Sequence, residues 1–455
     1  MYPRQILLAL LMVLAAGCSS LPFETATPDL EATPETTLAA TPTLGPVFTP
    51  SPPGESTPSG PVTLILWLPQ QFDPNSGTPA ASLLKDRLEE FSLRRPGVRL
   101  DVRLKTIDGT GGLLDSLTAA SAAAPLALPD LIALPRPLME TAALKGLLQP
   151  LDGLTEAIDN PNWYDYAREL SRLQETTFGL PIAGDALLLV YHPSAIAQPP
   201  ETWEEVLAME NPLLFPAADP QALTTQAFYR SAGGAVQDEQ GRPMLDVNIL
   251  AQLLSFYQNG ELNEVLPYWL SQYETFEQAW TGFQENPQAA TVTWVSKYLA
   301  AEALSPDPGE LTEEEEAPTE GELDEGLLAG APLPTPSGDA FTLATGWVLS
   351  LAGSQPSKQA LALELAEFLT ESSFLAAWSE ASGLIPPHSD VLEGWQDEAV
   401  RALVSRVAGS AHIYPSTDVL SSLAPAFQQV TLQILKQQGD PLSLAETAAG
   451  DLENP

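Results

Sequence analysis

From residue 62 onward, short apolar runs alternate with segments of helical periodicity, and this alternation limits the possible folds more than any other feature. Residues 62–68 are almost wholly apolar, as in a strand buried on both faces of a parallel sheet. Leu84, Leu88 and Phe91 then recur at helical spacing, and residues 98–105 alternate apolar and charged side chains. Strands and helices in this order predict an α/β fold with crossover helices.

The chain is long and strongly acidic. Its 455 residues indicate roughly two to three folding units. The chain contains 19 Lys and Arg residues and 59 Asp and Glu residues, which gives a formal net charge of −40. Such a charge repels phosphate backbones and anionic lipid head groups. We therefore expect no nucleic-acid partner.

The first residues are typical of an export signal. Arg4 precedes an apolar run, residues 6–16, that is too short to span a bilayer comfortably. Residues 14–18 read Leu-Ala-Ala-Gly-Cys and resemble the bacterial lipoprotein lipobox, which implies cleavage before Cys18 and attachment of diacylglycerol to its sulfur. The chain has one cysteine, at this position; the alternative is a chance cysteine in an ordinary secretory signal. We expect residues 1–17 to be a lipoprotein signal peptide.

A tract rich in Thr, Pro, Ala, Glu and Ser follows in residues 18–61. Proline-rich chain favours the extended polyproline II form at about 3.1 Å per residue, so a linker of this length reaches roughly 100 Å. We interpret the tract as a linker between a lipid anchor and the folded part. This interpretation places the protein at the outer face of the cytoplasmic membrane, held there by acyl chains.

Several short phrases occur in order along the folded part. They are residues 95–98 (Arg-Pro-Gly-Val), 129–132 (Pro-Asp-Leu-Ile), 146–151 (Gly-Leu-Leu-Gln-Pro-Leu), 180–187 with Tyr191, 200–205, 330–334 and 383–387. Together they resemble the family 1 extracellular solute-binding proteins of ABC importers, the group that includes maltose-binding protein. The resemblance spans about residues 62–444.

The resemblance implies a two-lobed, periplasmic-binding-protein-like α/β fold of type II, with hinge crossings and a ligand held between closing lobes. Clefts between lobes are also where small-molecule sites are expected on physical grounds. By comparison with the family, residues 62–181 plus about 326–343 form the first lobe, and residues 182–303 plus about 344–455 form the second.

Residues 304–325 depart from the family pattern. They include four consecutive glutamates, residues 313–316, and further acids. A block of like charges cannot bury itself, so we expect a disordered, solvated insertion. A cation-binding or regulatory role is the alternative.

The sequence carries no catalytic signature. It has no G-x-S-x-G elbow, P-loop or H-E-x-x-H motif, and its three histidines, His192, His388 and His412, are widely separated. A single cysteine excludes a multi-cysteine metal site. We therefore expect no catalytic residues, no metal and no cofactor, and a protein that is not an enzyme. A glycan-active enzyme would need two carboxylates aimed across a scissile bond, and the sequence nominates none.

Aromatic and polar residues at strand ends are the candidates for ligand binding. A flat ring covers the apolar face of a sugar while polar groups bind its hydroxyls. Trp67 ends the first strand and Gln70 follows in its loop, where a ligand over the carboxyl end of the sheet would lie; a place in the core is equally open for Trp67. The resemblance implies a ligand contact at Asp185, with a hinge-stabilising hydrogen bond as the alternative.

Four further aromatic residues complete the candidate set. The turn that carries Trp294 and Tyr298 resembles the family's strand-to-helix turn, whose aromatic side chain stacks on ligand. The family usually has glycine in this turn, and Ser296 and Lys297 stand there instead. The alignment therefore leaves two candidates for the stacking residue, Trp294 and Tyr298. Trp347 lies in a crossing segment and faces the cleft or the core, and Tyr414 lies in a stretch similar to a family loop near the cleft.

These observations predict a lipid-anchored extracellular receptor that captures an uncharged polar solute, a sugar or oligosaccharide, and delivers it to the transmembrane subunits of an ABC permease. We expect a monomer. The maltose-specific pattern is not carried over, since Leu134, Pro137 and Leu138 stand where the maltose binder has a tryptophan and an acidic-basic pair. The alternative is a sensory or scaffolding surface lipoprotein on the same fold, with a degenerate cleft.

Overall fold

The computed structural model describes residues 61–303, 327–353 and 355–453. The predicted signal peptide, Cys18, the linker up to residue 60 and the acidic insertion lie outside the described residues. The strands are β1 (Val62–Pro69), β2 (Val98–Lys105), β3 (Leu131–Pro135), β4 (Arg172–Leu173), β5 (Thr176–Thr177), β6 (Leu180–Tyr191), β7 (Leu213–Leu214), β8 (Ala290–Trp294), β9 (Ala329–Ala331), β10 (Thr342–Leu351) and β11 (Ala411–Ile413).

The helices lie between and after these strands. They are α1 (Pro79–Arg94), α2 (Leu113–Ala123), α3 (Arg136–Leu144), α4 (Asp165–Ser171), α5 (Trp203–Leu207), α6 (Leu223–Ser231), α7 (Val247–Leu262), α8 (Phe276–Glu285), α9 (Val295–Glu302), α10 (Pro356–Leu369), α11 (Ser372–Ser382), α12 (Glu398–Gly409), α13 (Thr417–Leu435) and α14 (Pro441–Glu453). The strands and helices predicted between residues 62 and 144 are confirmed, with ends that differ by a few residues. Every helix in the described ranges is too short or too polar to cross a bilayer.

Side-chain caps explain where two of the helices begin. The Thr78 hydroxyl accepts a hydrogen bond from the Ala81 N–H at 3.1 Å, and Pro79 supplies the first residue of α1. Thr202 and Glu205 form a capping box at the start of α5. Such caps fix a helix start because they satisfy backbone N–H groups that have no acceptor within the helix.

A mixed sheet runs through the described chain. Its strand order is β2-β1-β3-β10-β6-β8-β7, with β11 beside β10 and β9 beside β6. β1 is parallel to β2 and β3, whereas β10 is antiparallel to β3 and β6. The first half of β6 pairs with β10, and its second half pairs with β8 and β9. The long strand β6 therefore passes from one lobe to the other, and the expected two-lobed α/β fold is confirmed.

The buried Asp130 shows why the Pro-Asp-Leu-Ile phrase precedes β3. Its Oδ2 accepts a hydrogen bond from the Ile65 N–H of β1 at 2.8 Å, and the Asp130 N–H donates to the Ile65 carbonyl at 2.8 Å. Lys358 of α10 places its Nζ 3.3 Å from the same carboxylate. The carboxylate thus extends the pairing of β1 and β3 by one residue and joins α10 to the sheet.

Two helices of the C-terminal part, α10 and α11, pack against β1 and α1. One hydrophobic cluster of the described residues joins Leu64 and Leu66 of β1 with Phe91 of α1. Phe368 of α10 and Trp378 of α11 belong to the same cluster. The sequence interpretation assigns residues 344–455 to the second lobe, whereas the apolar side chains of α10 and α11 pack with the first. The division of the whole chain into lobes stays a proposal.

Candidate functional site

The carboxyl ends of strands from both lobes meet along a short stretch of β6. Pro135 at the end of β3 lies opposite Trp347, which in turn lies opposite Ala183 of β6. Trp294 at the end of β8 lies opposite Leu187 of β6. The positions of Ala183 and Leu187 differ by about 13 Å along the strand, at roughly 3.3 Å per residue. Both sets of strand ends therefore reach the same stretch of β6, and the region beyond such ends is where α/β sheets bind ligands.

Two glycines lie opposite each other where the strands cross between the lobes. Gly184 of β6 pairs with Gly346 of β10. Tyr166 of α4 packs so closely that a Cβ atom on Gly184 would lie 2.5 Å from its hydroxyl oxygen, and a Cβ atom on Gly346 would lie 2.7 Å from Leu170. Gly184 also exchanges two backbone hydrogen bonds with Ile385, at 2.7 and 2.8 Å. Glycine at both positions therefore lets α4 lie directly on the two crossing strands.

Residues 411–417 connect to both lobes at this crossing. Glu169 of α4 accepts a hydrogen bond from the Ile413 N–H at 3.0 Å and contacts the His412 ring nitrogen at 3.4 Å. Arg230 of α6 donates to the Ile413 carbonyl at 2.8 Å. Burial raises the pKa of Glu169, but the hydrogen bonds from His412 and Ile413 and the charge of Arg230 outweigh it and lower the pKa below its usual value. Glu169 is therefore ionised at neutral pH and binds this segment as a carboxylate.

A buried ion pair joins the end of β3 to the start of α13. Arg136 Nε donates to Glu140 Oε1 at 2.7 Å, and the two side chains are 10% and 4% exposed. Arg136 Nη1 also donates to the Leu170 carbonyl at 2.8 Å, near the end of α4. Glu140 Oε2 accepts from the Thr417 N–H at 3.0 Å and from the Thr417 hydroxyl at 3.2 Å. The pair therefore holds α4, α3 and α13 together beside the crossing.

Asp185 lies at the middle of the crossing, and protein groups bind its carboxylate. Oδ1 accepts from the N–H groups of Ala186 at 3.0 Å and Ser296 at 3.1 Å, and Oδ2 accepts from the Ser296 hydroxyl at 2.5 Å. Burial raises the pKa of Asp185 to about 6, against the opposite effect of these hydrogen bonds and of one from Val295. Protein groups thus engage this carboxylate, while the ligand contact and the hinge-stabilising role that the sequence left open both stay predictions.

Two partly exposed tryptophan rings share the face of Asp185. Positions 183, 185 and 187 of β6 lie on one face because side chains alternate along a strand. Trp347 is paired with the first of these positions and Trp294 with the last. Trp347 meets Phe72 edge to face at 5.1 Å, and Trp294 meets Phe276 in the same way at 5.5 Å. The structure thus brings three of the predicted site residues, Trp294, Trp347 and Asp185, to one surface.

Tyr414 and Gln70 also lie near strand ends. The Tyr414 hydroxyl is hydrogen-bonded to the Thr345 hydroxyl at 2.9 Å, and Thr345 is paired with Asp185. Tyr414 therefore belongs to the same crossing. Gln70 is exposed in the turn directly after β1, at the carboxyl edge of the first lobe.

The other two predicted residues are packed in the core. Trp67 is 3% exposed and Tyr298 is 4% exposed. The Lys105 ammonium lies over the Trp67 ring, 4.8 Å from its centroid. Tyr298 points into the interior against Gly330 of β9. Neither ring offers a stacking face in this structure, whereas the Trp294 ring is partly exposed.

The second lobe carries a row of aromatic residues that was not among the predicted ligand contacts. Trp269 meets Tyr273 edge to face at 5.7 Å. Ala218, in the loop after β7, donates its N–H to the Tyr273 carbonyl at 2.9 Å, which places this row at the carboxyl end of β7. Residues 268–276 carry four aromatic side chains, the last of them the Phe276 that contacts Trp294. That density is the sequence signal that points to them.

A pocket of about 320 Å³ opens in the first lobe beside the loop after β2. Asp108, Asp115 and Lys145 supply polar groups, and Leu114 and Leu138 supply apolar surface. It lies at the sheet edge where the parallel strands end. No cluster of three or more His, Cys, Asp or Glu side chains suited to a metal ion occurs within the described ranges.

Comparisons with known proteins identify the family. A family model described as bacterial extracellular solute-binding protein matches residues 91–402. Among curated proteins, none matches this sequence. Solved structures of the same fold include the cyclic alpha-maltosyl-1,6-maltose binding protein of Arthrobacter globiformis, with 19% identity over 86% of this chain and 99% of that chain and a TM-score of 0.67.

Two further structures are similar to the same extent. The sugar-binding protein MalE of Xanthomonas citri has 17% identity over 86% of this chain and 96% of its own, with a TM-score of 0.68. The maltodextrin binding protein MalE1 of L. casei has 17% identity over 87% of this chain and 100% of its own, with a TM-score of 0.65. The family model covers more than half of the chain, and the protein therefore belongs to the bacterial extracellular solute-binding protein family.

Proposed function

We propose that this protein is the lipid-anchored solute receptor of an ABC importer and that it captures a carbohydrate between its lobes. The observation that carries the proposal is the convergence of strand ends from both lobes on one face of β6, where Trp294 and Trp347 are partly exposed on either side of Asp185. Hinge closure would bring these ends onto a solute from two sides. Solved proteins of the same fold that bind sugars support the choice of ligand class.

The charges at the crossing favour a neutral solute over an anion. Arg136 is paired with Glu140 inside the protein. Arg230 donates to a backbone carbonyl, and Lys297, beside the Asp185 site, is paired with Glu277 at 2.8 Å. These three cations are already engaged, and the chain carries a net charge of −40, which repels anions. An uncharged polyol or sugar meets no such penalty.

Aromatic rings with nearby hydroxyl and amide groups suit a sugar. A ring covers the apolar C–H face of a pyranose, and polar groups bind its hydroxyls. Trp294 and Trp347 supply rings, whereas Gln70 is an exposed amide. The row that contains Trp269 and Tyr273 extends the aromatic surface in the second lobe, which favours an oligosaccharide over a single small sugar.

The proposed location follows from the N-terminal sequence. Cleavage before Cys18 and acylation of its sulfur would anchor the mature chain at the outer face of the cytoplasmic membrane. The Pro/Thr-rich tract that follows would let the receptor reach its permease. In this proposal the protein acts as a monomer and catalyses no covalent reaction.

A thermal-shift experiment tests the ligand class. Chain beginning at residue 19 is heated with sugars, oligosaccharides, polyols, phosphates and polyamines in turn. A ligand at a hundred times its dissociation constant should stabilise the protein by about 2.7 kcal/mol. Trp294→Ala and Trp347→Ala should reduce this shift, whereas Leu126→Ala, at a residue 79% exposed in the turn before β3, should not. If the folded protein shows no thermal shift with any of these compounds, the result would count against a solute receptor.

The second candidate function is a sensory or scaffolding lipoprotein with a degenerate cleft. The engagement of the Asp185 carboxylate by Ser296 favours it, since that group is then not free to bind a ligand. The burial of Trp67 and Tyr298 also favours it, because these rings are not accessible to a ligand. Recovery of a sensor kinase rather than permease subunits after cross-linking in membranes would support this candidate.

A further inference from the structure

The start of helix α9 lacks a cap of its own. Trp294 occupies the position before the helix, and its side chain accepts no hydrogen bond from the first turn. An indole N–H can only donate, while the first N–H groups of a helix need acceptors from elsewhere. Short polar side chains such as Asp or Ser normally supply them from this position. A tryptophan here therefore leaves the helix dependent on a different residue.

Asp185 supplies the missing acceptor from strand β6, far away in sequence. Its Oδ1 accepts from the Ser296 N–H at 3.1 Å, and its Oδ2 accepts from the Ser296 hydroxyl at 2.5 Å. The Ala186 N–H at 3.0 Å fixes the carboxylate from its own strand. A carboxylate near the first turn is also favoured by the helix dipole.

We propose that Asp185 is a positioning residue: through Ser296 it holds the first turn of α9 on the crossing strand and thereby sets the orientation of Trp294 at the edge of the cleft. The ligand part of this inference rests on the proposed function, in which Trp294 contacts the solute. The positioning part does not, because it concerns only Asp185, Ser296 and the ring that precedes α9.

The surroundings of Asp185 make its protonation a usable readout. Tyr166 of α4 packs against the neighbouring Gly184, and burial raises the pKa of its phenol well above the usual value, so it stays neutral. Thr345 of β10 is paired with it and is bonded to Tyr414. Lys297 of α9 is paired with Glu277 of α8. Because burial raises the pKa of Asp185 to about 6, its charge changes within an accessible pH range.

Fluorine NMR of the mature chain labelled with 5-fluorotryptophan tests the positioning directly. The chain has nine tryptophans, and Trp294→Phe assigns the signal of interest. We expect the Trp294 signal to shift with pH with a midpoint near 6, and this shift to vanish in Asp185→Asn. The signal of Trp395, which is buried and donates to Ser379 at 3.1 Å, is the internal control and should not follow that midpoint.

Substitutions of Ser296 provide a second, milder test. Ser296→Ala removes the hydroxyl donor and should move the Trp294 signal at neutral pH, whereas Ser296→Thr keeps the hydroxyl and should restore it. An Asp185→Asn protein in which Trp294 titrates as before would overturn the inference. A Ser296→Ala protein with an unchanged Trp294 signal would do the same.

Measurements of sugar binding distinguish a failure of this inference from a failure of the proposed function. With a sugar that stabilises the wild type, Ser296→Ala should weaken binding at least tenfold and Ser296→Thr should restore it. Equal affinity in all three proteins would show that the position of Trp294 does not matter for binding and would overturn the ligand part. If no sugar stabilises the wild type, the proposed function fails, and the NMR result alone still decides whether Asp185 positions Trp294.

Discussion

Glu140→Ala should destabilise the protein more than most single substitutions. Glu140 is 4% exposed at its side chain, pairs with the buried Arg136 at 2.7 Å and accepts two hydrogen bonds from Thr417. Removing one partner of a buried ion pair costs about 3–5 kcal/mol, because the other charge is left uncompensated. Arg136 keeps backbone carbonyl acceptors in α4, so we expect the lower end of this range.

The loss of the acceptor at the start of α13 adds to this cost. Replacing a helix cap costs about 1 kcal/mol, which brings the expected loss in unfolding free energy to roughly 4 kcal/mol when added to the ion-pair cost. The double variant Arg136→Met, Glu140→Leu should recover part of the loss, since no charge then remains buried without a partner.

Urea unfolding followed by far-UV circular dichroism measures these differences. The matched control is Glu277→Ala, which removes a carboxylate that is 73% exposed and paired with Lys297; surface pairs of this kind contribute about 0–1 kcal/mol. If Glu140→Ala costs no more than Glu277→Ala, the pair at the crossing does not hold α3, α4 and α13 together, and our reasoning about it is wrong.

Three further predictions follow from the crossing and the N-terminus. Gly184→Ala should lower the free energy of unfolding by about 1–3 kcal/mol through overpacking against Tyr166. A variant as stable as the wild type in urea unfolding would contradict this. Because the folded protein binds the Asp185 proton more tightly than the unfolded chain, wild type should lose stability relative to Asp185→Asn as pH rises from 5 to 8; a parallel pH profile would argue against it. Cys18→Ser should release the protein from the membrane fraction, and continued lipid labelling would disprove the anchor.

Local patterns predicted the strands and helices of the first lobe well because each depends on nearby residues. The apolar run of β1 and the helical spacing of Leu84, Leu88 and Phe91 need only their own neighbours to be recognised. The long strand β6 was marked by the Leu-Pro-Ile-Ala-Gly-Asp phrase, and the structure explains its glycine, since Tyr166 leaves no room for a side chain at Gly184.

Local sequence patterns did not predict the contacts between distant parts of the chain. A tryptophan at a strand end fits the cleft and the core equally, because both faces of this sheet are covered; Trp67 is in the core and Trp294 is partly exposed. The partner of Asp185 is Ser296, in a helix beyond several intervening elements. Likewise, nothing in the local pattern of α10 and α11 indicates that they pack with β1.

The central claim is that the two lobes close on a solute, and a distance measurement tests it most directly. With Cys18 replaced by Ser the chain has no other cysteine, so spin labels can be placed at Lys85→Cys in α1 and Gln252→Cys in α7, both exposed positions. Pulsed electron resonance then gives the distance between the labels with and without the sugar that most stabilises the protein. We predict a new, shorter distance on addition of the sugar and no change with Trp294→Ala at the same concentration. A bound sugar that leaves the distance unchanged would contradict closure of the lobes on a solute.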